Sequence, residues 1–233
     1  MKRPWAVVPL FIVILILLAL PRVVLLPRLT AELKGELAAA LETAELDLTV
    51  EAPWGWELLM GRIPSLALTA RDAGLEGVDV SQLNLEAEEI LFQPWTLFTQ
   101  HELVLTSFSS ITGSLLVSES ALNEAFWREV DPSRRLWLEI SPQGLAVLGT
   151  VGIWNMDVSV RVLGDVVVEN GSALRFVLMD LAVQDARVPE LLLDMLRDSF
   201  DFTVDFGEFP LPVEMQAVEL LEHKMEIRIG GRQ

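Results

Sequence analysis

After its N-terminal region this chain is patterned mostly with period two, the spacing of half-buried β-strands. Leu46, Leu48 and Val50 alternate with Asp47, Thr49 and Glu51. Leu66, Leu68 and Ala70 alternate after the loop APWGWELLMGRIP, and Leu83, Leu85 and Ala87 alternate with Asn84, Glu86 and Glu88. Glu102–Val117 reads as one long, mainly alternating run. Leu136–Ile140 and Leu145–Thr150 flank the turn residues Pro142-Gln143-Gly144 and predict a hairpin. Trp154–Val168 and Ala173–Val183 are joined by Glu169-Asn170-Gly171-Ser172, and Asn-Gly between alternating runs is the strongest short hairpin signal. Thr203–Phe206, Leu211–Leu221 and Met225–Ile229 close the chain.

Helical period is confined to a few segments. The clearest is Pro189–Phe202, where Leu191, Leu192, Met195, Leu196 and Phe200 recur at steps of three and four. Asp194, Arg197 and Asp198 mark its opposite face, and Pro189 suits a first helical turn, where its missing N–H loses nothing. Leu29, Leu33, Leu37 and Leu41 predict an amphipathic helix over Arg28–Glu42. A short helix begins after Ser118, a candidate N-cap, and stops at Asp131-Pro132. Roughly nine strands with two good helices and a short one give an α+β fold: a curled antiparallel sheet, or roll, wrapped around amphipathic helices.

The N-terminus changes the picture. Between Arg3 and Arg22 lie 18 uncharged residues, enough to span a bilayer core of about 30 Å at about 1.5 Å per residue. Lys2 and Arg3 precede the run, which places the N-terminus in the cytoplasm and the rest on the extracytoplasmic side. The run ends LLALPRVVLLP, without the small residues a signal peptidase needs, so an uncleaved signal anchor is expected over a removed signal peptide. The expected division is a single-pass transmembrane helix at 1–27, with Val23–Pro27 as a short linker, and an extracytoplasmic domain at 28–233.

Charge and chemistry narrow the function. The chain carries −17 overall, and Lys2, Arg3, Arg22 and Arg28 hold four of its 17 basic residues, so Leu29 onward has 34 acidic and 13 basic residues, a formal −21. That argues against nucleic acid and against docking on anionic headgroups by charge. There is no cysteine, hence no disulfide framework or thiolate chemistry. His101 and His223 have no spaced partners, so no metal site is expected. No nucleophile motif, zinc-protease motif or phosphate loop occurs, and no cofactor is implied. Ser107, Ser109 and Ser110 read as strand residues, Glu86, Glu88 and Glu89 as a solvated face, and Asn170-Gly171-Ser172 as a turn rather than a glycosylation site. No catalytic residue emerges.

What remains is apolar excess, at 52% of residues. Leu115-Leu116-Val117 and Val166-Val167-Val168 suggest strands buried on both faces, or a lined cavity. An apolar groove between sheet and helix could hold acyl chains at about 0.8 kcal/mol per buried methylene. Its candidate lining is Leu191, Leu192, Met195, Leu196, Phe200, Leu33 and Leu37. Trp54 and Trp56 lie in one loop with Leu59, and Trp95, Leu97 and Phe98 in another. Burial as loop anchors is the preferred reading of these tryptophans; the alternative makes Trp54, Trp56 and Leu59 membrane-interface residues.

Four segments in this order, PWGWELLMGRIPSLAL, LLVSESALNEAF, RVPELLLDMLRDSFDFTVDFGEFPLPVEM and a last strand ending IRIGG, resemble the LmeA-like phospholipid-binding proteins. The resemblance covers nearly everything after the anchor. It implies a fold like the tubular lipid-binding (TULIP) proteins, with a curled sheet around a long helix and an apolar groove. It also implies phospholipid binding at the outer face of the cytoplasmic membrane, a part in envelope lipid or glycolipid maturation, and no catalysis. It carries no headgroup-binding motif onto named residues. The alternatives are a non-catalytic envelope interaction module with a filled core and, third, an envelope hydrolase.

Overall fold

The computed structural model describes residues 7–75, 78–100, 104–153, 156–183, 203–205 and 213–231; the side chains of 7–21, 97–98, 100, 153, 156, 180–183 and 204–205 are outside that description. The predicted helix Pro189–Phe202 lies outside the described residues, as does His101.

The first element is a single helix, α1 (Val7–Ala40). The linker expected at Val23–Pro27 is helical instead. Pro27 lacks the N–H that would bond the carbonyl of Val23, but Val23 is exposed, so a solvent donor can replace it. The predicted apolar stripe is present: Leu29, Leu33, Leu37 and Leu41 are all buried. At about 2 kcal/mol per buried leucine, this stripe outweighs the helix-breaking tendency of one proline.

Strands β1 (Glu45–Glu51), β2 (Arg62–Leu75) and β3 (Val78–Phe92) follow, with the short helix α2 (Trp56–Leu59) between the first two. Burial in β1 alternates strictly, with Leu46, Leu48 and Val50 inward. After β3 the Trp95 segment is a helix, α3 (Pro94–Gln100), rather than a loop. Pro94 opens it at a position that needs no N–H, and Thr96 Oγ1 donates to the Gln93 carbonyl at 3.0 Å.

The long run expected over Glu102–Val117 is two strands, β4 (Leu105–Ser107) and β5 (Ser110–Ser118). Both pair with β3. The break coincides with Glu89 of β3 at a φ of 54°, a left-handed residue that bends the strand as a bulge does. Next come α4 (Glu119–Glu129), β6 (Leu136–Ser141), β7 (Gly144–Ile153), β8 (Met156–Glu169), β9 (Ala173–Val183), β10 (Thr203–Asp205), β11 (Val213–Leu221) and β12 (Lys224–Gly231).

Twelve strands among the described residues form two sheets, ordered β1-β2-β3-β5-β12-β11, with β4 beside β3, and β10-β9-β8-β7-β6. The hairpin pairings β6–β7, β7–β8, β8–β9 and β11–β12 are antiparallel, as are β9–β10 and β3–β4. The β8–β9 turn uses the expected Asn170-Gly171, both at positive φ. Leu115 and Val117 are buried, but Val167 is exposed, so the Val166–Val168 run is not buried on both faces. A strand in mid-sheet has its edges covered by neighbours while one face stays open.

The chain divides into two compact units. The first holds Met1–Ala40, Leu46–Thr69 and Asn84–Thr112; the second holds Leu41–Glu45, Ala70–Leu83 and Gly113–Gln233. In the second unit α4 covers β6, an edge strand. Ser118 caps α4 as predicted, its Oγ accepting from Ala121 N at 3.2 Å. Glu119, Asn123 and Trp127, at helical steps of four, then bond β6 at strand steps of two. Glu119 Oε2 accepts from Ile140 N at 2.7 Å, Asn123 brackets Leu138, and Trp127 Nε1 donates to the Leu136 carbonyl at 2.6 Å. The match is metric: four helical residues advance about 6.0 Å, and two strand residues advance about 6.6 Å.

Candidate functional site

Of the groove residues expected from the sequence, Leu191, Leu192, Met195, Leu196 and Phe200 lie outside the described residues. Leu33 and Leu37 are described and closed off from solvent, at 5% and 6% exposure. A cavity of about 350 Å³ in the second unit is lined by Asp72, Asp79, Ser81, Ser118, Ser120 and Glu124, with Val80 and Ala121. Its acidic, hydroxyl-rich wall does not suit an acyl chain. Among the described residues no cluster of carboxylates and histidines could hold a metal ion. Burial, the largest single influence on Asp131 after α4, pushes its carboxyl up, but hydrogen bonds from the Ser133 hydroxyl and from backbone N–H groups, including Leu136, together outweigh it and hold the carboxyl below the ordinary value.

The surface of the first unit has a different character. Trp54, Met60 and Trp95 are 74%, 72% and 77% exposed, and Val23, Val24, Leu59 and Leu91 are exposed with them. Trp54 and Trp95 therefore contradict the preferred expectation that the loop tryptophans are buried anchors. Trp56 is half-buried. Trp54 and Leu59 are exposed, as are Met60 and Trp95 of the same unit.

Local geometry explains the display. Glycines bracket α2: Gly55 at a φ of 75° and Gly61 at 73°. Met60 N bonds the carbonyls of Trp56 and Glu57, and Gly61 N bonds that of Leu58, which closes the turn tightly. Leu58 points inward and is buried, leaving Trp54 and Met60 on the outside. Two tethers hold the loop. Arg22 Nη1 donates to the Pro53 carbonyl at 3.0 Å, and Phe92 N donates to the Gly61 carbonyl at 2.8 Å. A Cβ on Gly61 would collide with the Phe92 carbonyl and come within 2.8 Å of Pro94 Cδ, so α2 is held hard against the start of α3. Trp56 Nε1 and Glu57 Oε2 are buried without a hydrogen-bond partner among the described residues. Each such atom costs about 1–3 kcal/mol, so stability alone does not favour this loop.

The model of the LmeA-like phospholipid-binding family matches residues 24–229. The chain belongs to that family. The match begins one residue after Val23 and takes in the loop of α2, the α4 capping segment and both sheets. No match was found among curated proteins or among solved structures. The family is defined by lipid binding and not by a reaction, and a mostly antiparallel sheet with few helices is consistent with it.

Proposed function

We propose that this protein is a membrane-anchored, extracytoplasmic phospholipid-binding protein that holds acyl chains in an apolar groove. Residues 1–27 act as the signal anchor in the cytoplasmic membrane, and 28–233 as the lipid-binding domain outside it. The observation that carries the reading is the family match across nearly all of that domain. The helical period of 189–202 supports Leu191, Leu192, Met195, Leu196 and Phe200 as groove lining. The formal −21 from Leu29 onward supports recognition of the apolar tails over attraction to anionic headgroups. A role in lipid or glycolipid maturation of the envelope follows from the same reading, without chemistry by the protein itself.

Among the described residues, no helix is long and apolar enough to cross a membrane. The uncharged run lies at 4–21, so the anchor rests on the sequence.

The test is extraction of the purified full chain and mass spectrometry of what dissolves. Copurifying phospholipid, and uptake of a fluorescent acyl probe, are expected; neither lipid nor uptake sinks the reading. A second reading, an interaction module with a filled core, is favoured by one observation, the burial of Leu33 and Leu37. Leu192→Trp and Met195→Trp separate the two: a folded variant with blocked probe uptake supports the groove, and a destabilised variant supports the filled core.

A further inference from the structure

Large apolar side chains exposed together on a folded surface mark contact with another apolar phase. In the first unit they form a connected set. Arg22 on α1 grips Pro53, next to Trp54; α2 packs on α1; and Gly61, next to Met60, is locked to Phe92 and Pro94, next to Trp95. Each exposed tryptophan is thus one residue from a fixed contact, and the set leads back to α1. Trp54 and Trp95 differ in this from Trp127 of the second unit, whose ring lies under Arg134 with its N–H bonded to Leu136.

We propose that Trp54, Met60 and Trp95 dock on the bilayer surface, entering the headgroup layer beside the point where α1 leaves the membrane. This rests on the reading of residues 4–21 as a membrane span. The helix is continuous from Val7 to Ala40, so height can be counted along it. Val23 follows Leu20 by three residues, about 4.5 Å. A headgroup layer is about 5–7 Å deep, from a total of about 40–45 Å around a core of about 30 Å. The turn carrying Arg22 and Val23, and with it Pro53 and Trp54, therefore falls within that layer. Indole rings suit this depth, with an apolar body and an N–H that stays wet.

Among the described residues the charges nearby include Arg22, Glu51, Glu57 and the Arg62–Glu89 ion pair, a mixed set with no basic excess. The contact is accordingly with a zwitterionic phospholipid surface, and anionic lipid does not strengthen it. The consequence is an orientation: the first unit is seated on the membrane at several points rather than tethered by a single helix.

The absence of native cysteine makes a direct test clean. Trp54→Cys, Met60→Cys and Trp95→Cys are each labelled with an environment-sensitive fluorophore in the full chain, with Lys34→Cys and Glu36→Cys, exposed farther along α1 in the same unit, as controls. The proteins are reconstituted in phosphatidylcholine vesicles with and without a nitroxide-tailed quencher lipid. Labels at 54, 60 and 95 should shift to the blue and lose most of their emission to the quencher, while those at 34 and 36 keep theirs. A blue shift that the quencher leaves untouched means cover by protein, such as a second copy, and overturns the proposal. A chain that floats with the vesicles while its 54, 60 and 95 labels stay in water also overturns it but leaves the anchor intact. A chain that neither floats nor quenches overturns both.

Discussion

Asn123 and Leu138 are paired as two strand residues would be: Asn123 Oδ1 accepts from Leu138 N at 2.7 Å, and its Nδ2 donates to the Leu138 carbonyl at 2.8 Å. Asn123 also donates to the Glu119 carbonyl at 2.9 Å, and it is buried. A helix side chain here does the work of a missing neighbouring strand and closes the edge of the second sheet. Replacing it with Ala strands both backbone groups of Leu138. Asn123→Ala should destabilise by about 2–4 kcal/mol, read as a fall in Tm of the full chain. Asn123→Asp should not rescue it, because a carboxylate cannot donate to the Leu138 carbonyl.

At the loop carrying Trp54 and Met60, Gly61 has both a positive φ and no room for a Cβ. Gly61→Ala should cost more than the ~1 kcal/mol of a simple conformational penalty, because the Phe92 carbonyl is backbone and cannot step aside. Trp54→Ala removes an exposed side chain and should change Tm little. Thermal melts of the two variants side by side test this difference, and equal losses would contradict the geometry.

Asp131 gives a pH dependence with a definite sign. Its carboxyl is held below its ordinary 3.8 in the folded chain. The stabilisation is therefore fully present above the unfolded value and is lost as pH falls through the folded one. Asp131→Asn should lower stability at neutral pH by about 1 kcal/mol, a hydrogen-bond estimate reduced for solvent screening. The gap from wild type should narrow as pH falls below about 4, the range where Asp protonates. Chemical denaturation at a series of pH values measures it.

The α1 stripe can be probed one leucine at a time. Leu33→Ala and Leu37→Ala should each cost about 2–5 kcal/mol, the range for deleting a buried leucine side chain. Exposed Val23→Ala on the same helix should be nearly silent. Urea midpoints of the three variants decide this, and a silent Leu37→Ala would mean the site is not core.

Most elements were legible because their signals are local. Leu46, Leu48 and Val50 alternate in sequence and in burial, the leucines of α1 keep their spacing, Ser118 caps α4, and Asn170-Gly171 makes its turn. Each depends on residues a few positions apart, and period or backbone preference fixes them in any context. The family, too, was readable from the order of its segments. Local signals misled where a long-range contact set the outcome. The strand run over Glu102–Val117 breaks opposite a left-handed Glu89, and Val23–Pro27 stays helical where a linker was expected.

Which apolar residues face outward was beyond the sequence. Leu58 and Met60 are two positions apart in one short turn, yet Leu58 is buried and Met60 is exposed. Composition ranks them alike. The direction is decided by two glycines at positive φ, by Arg22 reaching Pro53, and by the bond between Gly61 and Phe92, across 31 residues in each case. The sequence by itself determined most of the elements, the excess of negative charge and the family. Only the tertiary structure decided that Trp54, Met60 and Trp95 are exposed in one unit while Leu58 is buried, because that depends on contacts between segments that carry no periodic mark of one another.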